Sequence, residues 1–247
     1  MKTKNLVVTS LALLSLSYSA QAVNYAGNGN SGFGGPIGQG GSSALTLTDD
    51  GTTLFGTVNK GPNGFNDVLV IYIDSTAGGF TDTSGFADGN DGLRKSISGF
   101  DGGANRSTLT FASGFAADYA LALGPSSDSF GGLWSLANGG GNSLGFVSSA
   151  NLTPTGTSSS STYTFSISLA SIGVTPGNSF KLFGTYTSNS GYRSDEAVAG
   201  NETGTQGWNP FTQTSFSTYT VAAVPEPTTL ALAASGLALL VGLRRRK

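Results

Sequence analysis

Asp67-Val68-Leu69-Val70-Ile71-Tyr72-Ile73-Asp74 is the stretch on which the fold turns. It is a strong strand signal, apolar on both faces, and such a strand belongs in the middle of a sheet covered on both sides. Thr162-Tyr163-Thr164-Phe165-Ser166-Ile167-Ser168-Leu169 has a complementary pattern. Tyr163, Phe165, Ile167 and Leu169 share one face, which predicts a half-buried antiparallel strand. Ala44-Leu45-Thr46-Leu47-Thr48 alternates, Asp49-Asp50-Gly51 turns, and Thr53-Leu54-Phe55-Gly56-Thr57-Val58 returns, which is a hairpin signature. Further strands are expected at residues 108–112, 119–123, 144–148, 180–187 and 217–222, with Gly, Ser, Asn and Asp clusters between them. Residues 169–172 can form a single helical turn, and no segment of the body sustains a helical period for long. Many short strands with glycine-rich turns predict an all-β protein, a single jelly-roll-like β-sandwich over residues 23–223.

Two residue types are missing, and their absence limits the chemistry. The chain has no cysteine, so an exported form has no disulfide to hold it and depends on burial or a metal. It has no histidine either, which removes the Ser-His-Asp triad, the Cys-His pair and His-ligated zinc. Carboxylate chemistry, Lys or Tyr bases and oxygen-ligated calcium remain. The formal net charge is −2, but six of the twelve cations sit at the two chain ends. The body holds the other six against thirteen acids and is therefore near −7. An acidic body without a basic stripe is not expected to bind nucleic acid.

Both ends carry sorting features. Met1-Lys2-Thr3-Lys4, an apolar stretch at residues 6–16 and the small-x-small site Ala20-Gln21-Ala22 form a signal peptide over residues 1–22, cut by signal peptidase after Ala22. At the other end, Val224-Pro225-Glu226-Pro227 precedes an apolar run at residues 230–243, and Arg244-Arg245-Arg246-Lys247 follows it. The prolines keep any helix from starting before Thr228. Residues 228–243 then make a helix of about 24 Å, short for a bilayer core. The terminal cations would hold that end on the cytoplasmic side.

This tail, residues 224–247, resembles the PEP-CTERM sorting signal of Gram-negative bacteria. Pro225, Glu226 and Pro227 match the signature, and the apolar helix and the Arg244, Arg245 and Arg246 cluster follow in order. The resemblance implies an exosortase that recognises and removes the tail. It also implies transient inner-membrane anchoring, delivery to the cell envelope or exterior, and an association with exopolysaccharide and biofilm. The body resembles, less fully, the sandwich of family-nine carbohydrate-binding modules. The resemblance runs from the strand ending at Asp74, through Phe115-Ala116-Ala117-Asp118-Tyr119-Ala120-Leu121, to the late strand at 163–169 and the Ile172-Gly173 corner.

Three constellations are candidate sites. Asp82, Asp88, Asn90, Asp91 and Asp101 lie on a Gly-rich loop, where oxygen ligands at short spacing suit calcium. The alternative is turn chemistry, with each side chain bonding its own backbone. Trp134, Tyr192 and Trp208 lie among Gly and Asn and can stack on sugar rings, or else plug the ends of the sandwich. Asp195, Glu196 and Glu202 are the carboxylates a glycoside hydrolase would need as a pair. The expected function is that of an exported, non-enzymatic surface or matrix protein without a cofactor, unless calcium binds. The alternatives are a carbohydrate-binding module for exopolysaccharide and, third, a glycoside hydrolase.

Overall fold

The computed structural model describes residues 21–37, 43–136 and 143–223. In chain order the strands are β1 (Val23–Tyr25), β2 (Leu45–Asp49), β3 (Thr53–Asn59) and β4 (Val68–Asp74), followed by helix α1 (Gly92–Ser98). Then come β5 (Leu109–Thr110), β6 (Tyr119–Gly124), β7 (Phe130–Ser135), β8 (Gly145–Ser149) and β9 (Thr162–Ser168). The last four are β10 (Ser179–Thr187), β11 (Arg193–Val198), β12 (Gly200–Thr203) and β13 (Phe211–Thr220). Two short 3-10 turns, Thr83–Gly85 and Leu169–Ile172, complete the set.

The strands form two sheets of unequal size. The smaller runs β1-β2-β3-β9 and the larger β12-β13-β10-β4-β6-β7-β8, with β11 also on β10 and β5 on β13. All pairings are antiparallel except β5 with β13. The expected hairpin is present as β2–β3, in the register Leu45↔Val58 to Asp49↔Leu54. β9 pairs with β3, and its alternation resolves as predicted: Tyr163, Phe165 and Ile167 are buried while Thr162, Thr164 and Ser168 are exposed. The result is the all-β, sandwich-like body foreseen from the sequence.

β4 shows why the larger sheet is covered on both sides. Leu69, Ile71 and Ile73 point into the core between the two sheets, beside Leu45, Leu54, Val58, Phe165 and Ile167. Val68, Val70 and Tyr72 point the other way, into a second core with Phe86, Leu93, Ile97, Phe111, Trp134 and Phe211. β6 sorts its residues likewise: Leu121 and Leu123 enter the inter-sheet core, and the small Ala120 and Ala122 face the second core, where α1 packs over β6 and β4. The molecule is thus layered as small sheet, large sheet and a cover of loops with one helix. Each large apolar side chain so buried contributes on the order of 1.5–3 kcal/mol. The chain has no cysteine, so no disulfide adds to that.

α1 was not foreseen. Its seven residues start with glycine and are too few to show a helical period. Its ends follow helix rules all the same: the Asp91 carboxylate accepts from Arg94 N–H, and Gly99 closes the helix at φ 62°. β1, β7, β11 and β12 were also unforeseen, and β13 begins at Phe211, earlier than the expected residue 217. Residues 108–112 yield only the two-residue β5. Ala20–Ala223 forms one compact unit, which excludes Met1–Ser19 and Val224–Lys247.

Candidate functional site

β7 and β8 close one end of the larger sheet. On β7, Phe130, Gly132 and Trp134 follow the two-residue period and share a face. Gly132 makes room for its neighbours: a Cβ there would lie 2.8 Å from Trp134 Cη2 and 3.0 Å from Phe130 Cε1. β8 places Phe146 opposite Trp134, with ring centroids 5.6 Å apart at 70°, and 6.2 Å from the Phe130 ring. Asp91, Leu93 and Arg94 from the start of α1, with Asp128 from the β6–β7 turn, complete a cleft of about 430 Å³.

The three rings do different jobs. Trp134 is only 2% exposed and forms the floor of the cleft, while Phe146 and Phe130 are 51% and 38% exposed. Of the two roles open to Trp134, stacking face or plug, its burial under Phe146 and beside Arg94 fits the plug. The exposed rings are two phenylalanines that the sequence did not distinguish from core residues. The Arg94 guanidinium lies 5.7 Å from the Trp134 ring centroid. It pairs through Nη1 with Asp91 and, at 3.3 Å through Nε, with the buried Asp88. Its Nη2 makes no hydrogen bond to the described residues. Asp128 Oδ2 accepts from Ser127 Oγ at 2.6 Å. Asp128 Oδ1 accepts no hydrogen bond from the described residues.

Four of the five candidate calcium ligands accept hydrogen bonds from the protein through their side chains. Asp82 accepts from Ser84 N and Oγ. Asp88 accepts from Asn90 N and Leu144 N. Asp91 caps α1, and Asp101 accepts from Gly103 N, Asn105 N and Asn105 Nδ2. Apart from the Asp88–Leu144 bond, which ties the loop to the residue before β8, these are the bonds of Asx turns and helix caps. Among the described residues, no group of three or more Asp or Glu side chains is placed to hold one metal ion.

Tyr192 and Trp208 do come together, with centroids 5.7 Å apart at 86°, and Phe33 stacks on Tyr192 at 5.9 Å. Each ring is half-buried, and both Tyr192 contacts are to other rings of the protein. They hold the segment before Ile37 against β11. That segment is also tied down by Asp195, whose Oδ1 accepts from Gly32 N at 2.9 Å, and by Glu196, whose Oε1 accepts from Gly35 N at 2.6 Å.

Two of the three carboxylates considered for hydrolysis are buried, Glu196 and Glu202 being 1% and 3% exposed, while Asp195 is half-buried. Burial pushes the Glu196 carboxyl up to about 7, against hydrogen bonds from Gly35, Ser194 and Phe33. Burial also raises Glu202 to about 7, although Arg193 and Thr185 favour its charged form. Arg193 itself is fully buried. Its Nη1 donates to Thr185 Oγ1 at 3.2 Å, and that hydroxyl donates to Glu202 Oε1 at 2.8 Å. This buried polar set has no local signature, because Thr185, Arg193 and Glu202 come from three strands, β10, β11 and β12, that only the fold brings together.

The fold defines the body as a two-sheet β protein, and the tail places it in a class. Residues 223–247 match the PEP-CTERM protein-sorting motif. The chain therefore carries an exosortase sorting signal and is an exported protein addressed to the cell envelope. The match covers the tail alone, and the chain matches no curated protein and no solved structure. Pro225, Glu226, Pro227 and the Arg244–Arg246 cluster lie outside the described residues, as do Ala20 and most of the signal peptide. Among the described residues no helix is long and apolar enough to cross a membrane; the expected spanning helix at 228–243 also lies outside them.

Proposed function

We propose that this chain is a non-enzymatic surface or matrix protein of a Gram-negative bacterium. It is exported by its signal peptide, held briefly in the inner membrane by its tail, and released by an exosortase into a compartment built around exopolysaccharide. The tail motif at residues 223–247 carries this reading. The body supports it chemically. It lacks histidine and cysteine, and Glu196 and Glu202 are buried against protein donors. Calcium has no assigned role in this reading.

The test is the location and mass of the protein in cells with and without exosortase. Loss of the tail only when the enzyme is present supports the reading; the same mass in both strains contradicts it. A second reading, that the body binds carbohydrate, is favoured by the ring-lined cleft of β7 and β8. Hydrolysis has no such support, because two of its three candidate carboxylates, Glu196 and Glu202, are buried.

A further inference from the structure

The cleft at Phe130, Trp134 and Phe146 combines three features. It has two exposed ring faces over a buried indole floor. Among the described residues, Arg94 Nη2 and the Trp134 indole Nε1 donate no hydrogen bond, while Arg94 Nε and Nη1 are ion-paired with Asp88 and Asp91. Among the described residues Asp128 Oδ1 accepts no hydrogen bond, while Oδ2 accepts from Ser127 Oγ. A ligand that satisfies all three has an apolar face for the rings and hydroxyls that both donate and accept.

The local charges narrow the class. Asp88, Asp91 and Asp128 outnumber Arg94, so an anionic ligand meets excess negative charge on a body that is acidic overall. A bare ammonium has no acceptor to offer Arg94 Nη2 and would face its positive charge. A sugar ring has C–H faces that lie on aromatic rings, and vicinal hydroxyls that reach both a guanidinium and a carboxylate.

We propose that this cleft binds one neutral pyranose ring of a polysaccharide, stacked on Phe146 and Phe130 and hydrogen-bonded to Arg94 and Asp128. This rests on the body being a binder rather than an enzyme, and it names the site and ligand class of that binding. Gly132 is part of the site, because any side chain there would displace the two β7 rings.

The experiment is calorimetric titration of the exported protein with hexasaccharides of glucose, mannose and galactose, and with a hexauronate and a hexaglucosamine as charged counterparts. At least one neutral hexasaccharide is expected to bind. Phe146→Ala and Asp128→Asn are each expected to weaken it tenfold or more. Phe146→Tyr keeps a ring and should keep binding, and Phe55→Ala removes an exposed ring of the smaller sheet and should change nothing. Melting temperatures of the same variants separate lost binding from lost folding. Binding by the charged oligomers alone, no binding by any neutral one at millimolar concentration, or undiminished binding by folded Phe146→Ala overturns the proposal. Export and tail removal, read by mass in the same preparations, stand or fall independently of this result.

Discussion

Glu196 shows how one buried side chain sets a pH response. Its carboxyl is raised from 4.5 to about 7, chiefly because burial disfavours the charge. A carboxyl raised in the folded state binds more protons folded than unfolded. Its contribution to stability is therefore full below about pH 4.5 and is lost as pH rises through about 7. Glu202 is raised to about the same value and acts in the same direction. The melting temperature is expected to fall between pH 4.5 and pH 7. Glu196→Gln should flatten that slope, gaining on the wild type at pH 8 and not at pH 4. Thermal melts across this range check it, and a variant that melts in parallel with the wild type would refute it. Asp49 is a buried carboxylate fixed by hydrogen bonds: it is 2% exposed and accepts from Tyr219 Oη at 2.6 Å and Gly51 N at 2.8 Å. Asp49→Ala removes both bonds and should cost about 1–3 kcal/mol in denaturant unfolding. Residues of this kind were not legible in the sequence. Asp49 read as part of a turn, Arg193 counted only as one of the body's cations and Phe146 fell only within an expected strand, because burial depends on partners distant in sequence or on where a sheet ends.

At the scale of elements, the sequence was most informative where a pattern was long and one-sided. The runs at 67–74 and 162–169 became β4 and β9 with the faces expected of them. β11 and β12 escaped because they mix charged and apolar residues, and Arg193, Glu196 and Glu202 are buried, with Arg193 and Glu202 both reaching Thr185 on β10. α1 escaped because its cap, not its period, defines it. The same cap gives a prediction: Asp91→Ala removes the bond to Arg94 N–H, and the loss of an N-cap costs about 1 kcal/mol. A larger effect is expected where strands touch. Gly56 faces Phe165 across β3 and β9, and a Cβ at Gly56 would lie 2.0 Å from the ring. Gly56→Ala must push that ring out of the inter-sheet core, and overpacking of this sort costs about 1–3 kcal/mol. A change under 0.5 kcal/mol on chemical denaturation would mean that the sheet accommodates the methyl group, contrary to this packing. The acidic loop makes the opposite prediction. Its carboxylates are spent on turns and caps, so a chelator should leave the melting temperature unchanged.

For the whole molecule, address and body are legible to different degrees. The address is a linear signal, read from Pro225-Glu226-Pro227 and the basic terminus without any fold. The body's site is assembled from α1, the β6–β7 turn, β7 and β8, which no local pattern joins. Deleting residues 230–247 should change where the protein goes and leave its melting temperature unaltered, because both cores are built within residues 21–223. The claim that most depends on the tail is also the easiest to check. Intact mass spectrometry of the protein recovered from the cell surface should give a chain that starts at Val23 and lacks Arg244–Lys247. A surface protein that still ends in Arg244-Arg245-Arg246-Lys247, in cells with a working exosortase, would contradict the account.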